Sequence, residues 1–165
     1  MDFLSHALWA YLISKAAGIA LWPQFVFFAV FPDLMFGLPL GAYWLFKLSS
    51  RPRKFYARSE IRKLIRGDFK WLEKVYHVAH SFVTVAIFAL FDWVAYGPAG
   101  VAALGGWVLH CALDTFMHKE GVVTAMPLYP LGYEVRGFFH WSEKWFLALN
   151  YSLLAVAYAW FFFLK

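Results

Sequence analysis

Five apolar blocks, about Phe3 to Ile19, Pro23 to Phe31, Val75 to Tyr96, Ala99 to His118 and Lys144 to Leu164, take up most of this chain and limit what it can become. A bilayer core about 30 Å thick is crossed by roughly 20 helical residues. The 165 residues therefore have room for four or five crossings. Only 15% of residues are charged and 62% are hydrophobic, against about 25% charged in ordinary soluble domains. The expected fold class is all-α: an integral membrane helical bundle of four to five transmembrane or re-entrant helices in one domain, residues 1–165. The second block is short, and the stretch after it, Leu34 to Leu48, is broken up by Pro32, Pro39, Gly37 and Gly41. Such breaks fit where the backbone is covered by protein or lines a wet cavity. The N-terminus lacks a basic leader and reads as a structural helix.

One segment differs sharply. Residues 49–74 carry Arg51, Arg53, Lys54, Arg58, Arg62, Lys63, Arg66, Lys70 and Lys74 against three acids. Short basic loops stay on the cytoplasmic side, so this insert sets the expected orientation in an inner or plasma membrane. Within it Ile61, Leu64, Ile65, Phe69 and Leu72 share one helical face, while Arg62, Lys63, Arg66 and Lys70 share the other. That pattern predicts a basic amphipathic helix lying on the membrane, its cations attracting an anionic substrate. Aromatic interleaving for strand stacking is sparse, so nucleic acid is not an expected partner.

Polar residues inside the blocks follow a rule. His6 opens the first block, Asp33 ends the second, His77 and His80 open the third, and His110, Asp114 and His118 lie toward the end of the fourth. If successive helices run antiparallel, all of these reach one face, the face that carries the insert. His110, Asp114 and His118 recur every fourth residue, and four residues advance a helix by about 40°. They share one narrow stripe. A lone intramembrane Asp costs about 2.5–3.5 kcal/mol, whereas a bound structural metal returns about 10 kcal/mol or more. The single cysteine, Cys111, rules out a thiolate-rich site, so any metal falls to His and carboxylate. His77 and Glu120 are additional candidate ligands. Asp33, following a proline, could equally cap the next helix. His140 and Glu143 read as surface residues and Asp92 as remote.

These residues also carry a resemblance. His6, Phe-Pro-Asp at 31–33, His80-Ser81 opening an apolar helix and His110-x3-Asp114 before a Pro-rich loop resemble the YdjM-like family of predicted membrane-bound metal-dependent hydrolases. The order His, Asp, His, His-x3-Asp, His is more distantly similar to zinc-dependent phospholipases C and single-strand-specific zinc nucleases. The chain departs from the family where Met35 takes the place of a second acid and Val75 that of a first His. It departs from the phospholipase pattern at His140, which is followed by Glu143 and Lys144 where that pattern has a His-x3-Glu. The resemblance implies one or two divalent ions, zinc foremost, held by His6, Asp33, His80, His110, Asp114 and His118. Asp33 and Asp114 would be catalytic, with Asp33 able to act as base.

The resulting expectation is a membrane-bound hydrolase of a phosphoester in a lipid or other amphiphile, facing the cytoplasm. A transporter would instead spread its polar groups along a path across the bilayer. A bis-histidine haem protein would use His80 with His110 or His118. A structural membrane partner would bind no metal.

Overall fold

Asp2 starts the first helix. Its carboxylate accepts from the Ser5 N–H at 3.0 Å and from the Ser5 hydroxyl at 2.6 Å, the first of which satisfies one of the backbone donors that a helix N-terminus leaves open. From there a computed structural model describes residues 2–48, 63, 65–67, 69–119 and 123–164. The helices are α1 (Phe3–Ala16), α2 (Trp22–Leu48), α3 (Lys70–Ala79), α4 (Phe82–Tyr96), α5 (Pro98–Met117) and α6 (Lys144–Ala159), which ends in a π-helical turn, Trp160–Leu164. Among the described residues there are no strands, only two isolated bridges, His118 with His140 and Ala125 with Val135.

Among the described residues three helices are long and apolar enough to cross a membrane: Trp22–Tyr43, Pro98–Met117 and Lys144–Phe163. A fourth crossing arises if α3 and α4, bent by 58° at their junction, form one broken span. The third block is thus two helices. Ser81 caps α4, its hydroxyl accepting from the Val83 N–H at 3.1 Å while donating to the Tyr129 carbonyl at 2.7 Å. Gly97 takes φ +64, a left-handed conformation suited to glycine, and Pro98 begins α5, so Gly-Pro turns the chain sharply between α4 and α5.

Blocks two and its broken partner form a single helix, contrary to expectation. Pro32 and Pro39 both lie inside α2. Each proline removes one hydrogen bond, but breaking the helix in an apolar setting would strand several more backbone groups, so continuing it costs less. Asp33 is therefore the twelfth residue of the 22-residue segment Trp22–Tyr43, midway along it rather than at its end, and it caps nothing.

Polar side chains share the interior with an apolar core, while many large apolar side chains face outward. The buried set includes Ser5, His6, Ser14, His80, Ser81, His110, Asp114 and Asn150, whereas Leu45, Phe46, Leu90, Phe91, Val94 and Phe163 are exposed. The closest helix pair is α2 with α5. A Cβ on Gly106 would stand 1.9 Å from the Phe25 carbonyl oxygen, so only glycine lets the two backbones meet here. Trp107, next in sequence, fills the space between α2, α4 and α5 with Phe28, Phe31, Val85 and Leu104, and its indole N–H donates to the Ala79 carbonyl at 2.6 Å.

One expectation for the insert changes. Ile65 is buried against Tyr76, Val123 and Phe36, so it faces protein and not bilayer. Lys63, Arg66 and Lys70 are exposed. Residues 49–62, Ile61 and Arg62 among them, and Leu64 lie outside the described residues, as does Glu120.

Candidate metal centre

The start of α1, the middle of α2, the junction between α3 and α4 and the last turns of α5 come to one place. There Asp33, His80, His110 and Asp114 each offer a ligand atom, and the four atoms lie within 4.8 Å of one another. His80 Nε2 and His110 Nε2 are 3.0 Å apart. Asp33 Oδ1 is 3.9 Å from both. Asp114 Oδ2 is 3.6 Å from His80 Nε2 and 3.5 Å from His110 Nε2. Four donors bound at ordinary zinc distances in a tetrahedron stand about 3.3–3.6 Å from one another. The donor set fits a small divalent cation with little rearrangement.

The ring nitrogens facing away decide the tautomers. His110 Nδ1–H donates to the Ala29 carbonyl at 2.7 Å, and His80 Nδ1–H donates to the Tyr76 carbonyl at 2.9 Å. A carbonyl only accepts, so in each neutral ring the proton is on Nδ1 and the lone pair on Nε2. Two lone pairs 3.0 Å apart repel unless something positive lies beside them. This is the geometry in which backbone carbonyls orient metal-binding imidazoles. Gly106 contributes at a distance: by letting α5 touch α2, it brings His110, one turn later, within reach of Ala29.

The remaining expected ligands form a ring around these four. His6 Nε2–H donates to Asp114 Oδ1 at 3.0 Å, and its ring stacks on His110 with centroids 4.0 Å apart. It therefore holds the carboxylate and is not one of the four donors. With Nε2 donating, its buried Nδ1 has no hydrogen-bond partner. His118 uses Nδ1–H on the Asp114 backbone carbonyl at 3.0 Å and accepts the Tyr76 hydroxyl on Nε2 at 3.3 Å, so both its nitrogens are engaged beside the cluster. His77 stacks on Tyr129 with its Nδ1 unpartnered and is not brought to the four donors. The cluster is open at the Asp33 side chain, 26% exposed, and the His118 side chain, 12% exposed. His6, His80, His110 and Asp114 are all enclosed.

Tyr76 went unnoticed in the sequence. It is buried, stacks on His80 at 3.9 Å between centroids, and ties His118 to the cluster. Its signal was position: four residues before His80, it shares that histidine's helical face. His140, expected at the surface, is buried. The loop before it pairs with the end of α5, Lys119 N–H donating to the Phe139 carbonyl at 3.0 Å and Trp141 N–H to the Met117 carbonyl at 3.3 Å. Its ring accepts from the Ser142 N–H at 3.2 Å. Glu143 is exposed and accepts from the Trp145 indole. Asp92 lies at the far end of α4 beside Gly100, remote as expected.

No protein-family model, curated protein or solved structure matches the chain.

Proposed function

We propose that this protein is an integral membrane, metal-dependent hydrolase whose substrate is an anionic ester, most specifically a phosphoester of a lipid or other amphiphile. The observation that carries the proposal is the pair of bare Nε2 atoms on His80 and His110, converging with Asp33 and Asp114 on one point. A flat porphyrin has no room between rings this close. The titratable groups gather at one level and not along a path, which disfavours transport.

His80, His110 and Asp114 would hold the ion and leave a position open to water, zinc being the metal that matches the donor chemistry. The chemistry a divalent cation supplies in such a setting is activation of water at neutral pH and neutralisation of charge developing on a phosphoester. Asp33, the most open of the four, would take up the proton of an attacking water at a carboxylate oxygen. His6 would keep Asp114 ionised and oriented. Lys63, Arg66 and Lys70 would draw the anionic substrate toward the site. The basic insert supports a cytoplasmic orientation, and the motif resemblance to the YdjM-like family supports the hydrolase class.

Elemental analysis of gently purified protein, alongside cleavage assays on a generic phosphodiester and on phospholipid vesicles, tests the proposal. About one ion per chain, lost in His110→Ala together with hydrolysis, is the expected result. A metal-replete and active Asp114→Ala chain, or wild-type protein that binds no ion, refutes it.

A further inference from the structure

Residues 123–143, which lead into α6, are not a loose connection. The Pro127 carbonyl accepts from the Phe82 N–H at 2.8 Å, the Phe116 carbonyl accepts from the Phe138 N–H at 2.9 Å, and Val135 N–H donates to the Ala125 carbonyl at 2.9 Å. Gly137 lies so close to α5 that a Cβ there would stand 2.6 Å from the His118 nitrogen. The segment is thus a strap fastened to the start of α4 and the end of α5, at the level of the metal centre.

What this strap turns outward is aromatic. Phe116, in the last turn of α5, stacks on Phe138 of the strap with centroids 6.3 Å apart. Phe139 meets Trp145, in the first turn of α6, at 5.8 Å. All four are exposed, Phe138 by 69%, as is Leu131 at the strap's tip, by 70%. The ridge therefore begins and ends on the two helices, α5 and α6, that are each long and apolar enough to cross a bilayer. Glu134, Arg136, Glu143 and Lys144 are exposed among these residues. The centre of a protein–protein interface is depleted of such charges, whereas the headgroup boundary accepts charges and aromatic rings together and is where aromatic belts form.

We infer that the strap is a membrane-surface element: the ridge Phe116, Phe138, Phe139 and Trp145 sits in the headgroup–acyl boundary of the bilayer that the helices span. Because His118 lies between Phe116 and the strap, this sets the His118 edge of the metal centre toward the lipid headgroups. The inference rests on the proposed membrane location and is independent of hydrolysis.

Cys111 is buried, so Phe138→Cys and, in a separate chain, Leu131→Cys each add one accessible thiol for an environment-sensitive dye. Each chain is reconstituted into phosphatidylcholine–phosphatidylglycerol nanodiscs and quenched with lipid-borne nitroxides or aqueous iodide. A ridge at the boundary holds the dye in lipid, so headgroup-level nitroxide should quench it about threefold more strongly than iodide does. Stronger quenching by iodide at both positions overturns the inference, as does shielding from both quenchers, which would mean that a second copy covers the ridge. Protein that fails to float with lipid refutes the membrane reading itself. Metal content of the labelled chains should equal that of wild type, which separates this outcome from any failure of the metal centre.

Discussion

His80 and His110 point their Nε2 atoms at each other across 3.0 Å while the opposite nitrogen of each ring is bound to a main-chain carbonyl, Tyr76 and Ala29 respectively. Hydrogen bonding between the two neutral rings is excluded by that arrangement, because neither has a proton left to share. A cation is the natural third party. Protons compete with metal for imidazole nitrogen, so zinc affinity should fall as the solution is acidified from neutrality. Isothermal titration across that range checks this. Affinity independent of acidity would show that these two rings are not ligands.

His6 provides a graded counterpart. Its hydrogen bond orients Asp114 without offering a donor to the ion. Replacing such an outer partner typically weakens metal binding about 10–100-fold. His6→Ala should retain a folded bundle and a measurable but weakened site, whereas His110→Ala should lose the ion altogether. Competition with a chromogenic chelator distinguishes the two. Equal losses would put His6 among the direct ligands.

Gly106→Ala asks whether helix contact sets the site. The added methyl group would meet the Phe25 carbonyl and the Ala29 nitrogen, which are backbone and cannot swing aside. Overpacking of this kind costs about 1–3 kcal/mol, and moving α5 away from α2 also draws His110 off Ala29. Thermal unfolding in detergent should show a lowered midpoint together with reduced metal content. A drop in stability with full metal retention would separate the packing from the site.

Asp2 makes a prediction about acidity and stability. Burial pulls its pKa up, but hydrogen bonds from Ser5 and Tyr151 outweigh that and hold it below the usual carboxylate range. A carboxylate depressed in the folded state stabilises fully above its unfolded pKa, near 3.8, and that contribution is lost as pH falls through the folded value. Removing an N-cap costs about 1 kcal/mol. Asp2→Ala should therefore unfold at a lower temperature than wild type at neutral pH, with the gap closing in strong acid. A gap that persists there would mean the loss is one of packing.

The site was more legible in the sequence than the helices that carry it. Spacing alone put His110 and Asp114 on one stripe, and alternation of helix direction brought Asp33 and His80 to it, because polar side chains in apolar helices are satisfied by one another and by main-chain carbonyls. The two prolines of α2 misled for a related reason: they are strong breakers in water, yet inside an apolar bundle a broken helix costs more than a missing hydrogen bond. His140 was misplaced because its burial depends on the strap, whose pairing with the end of α5 rests on main-chain bonds that leave no periodic mark. Tyr76 was hidden among nine tyrosines and nineteen phenylalanines. The ring of His6 and His118 around the four central donors was equally beyond reach, since spacing tells which side chains meet but not which nitrogen each one spends.

The enclosure of the cluster has a kinetic side. With Asp33 and His118 the exposed edge of the cluster among the described residues, a bound ion would come and go there, and its residence time would be governed by that opening as much as by the strength of the donors. Small chelators that slip past Asp33 would strip the ion quickly, while bulky ones of equal affinity would wait for the bundle to open.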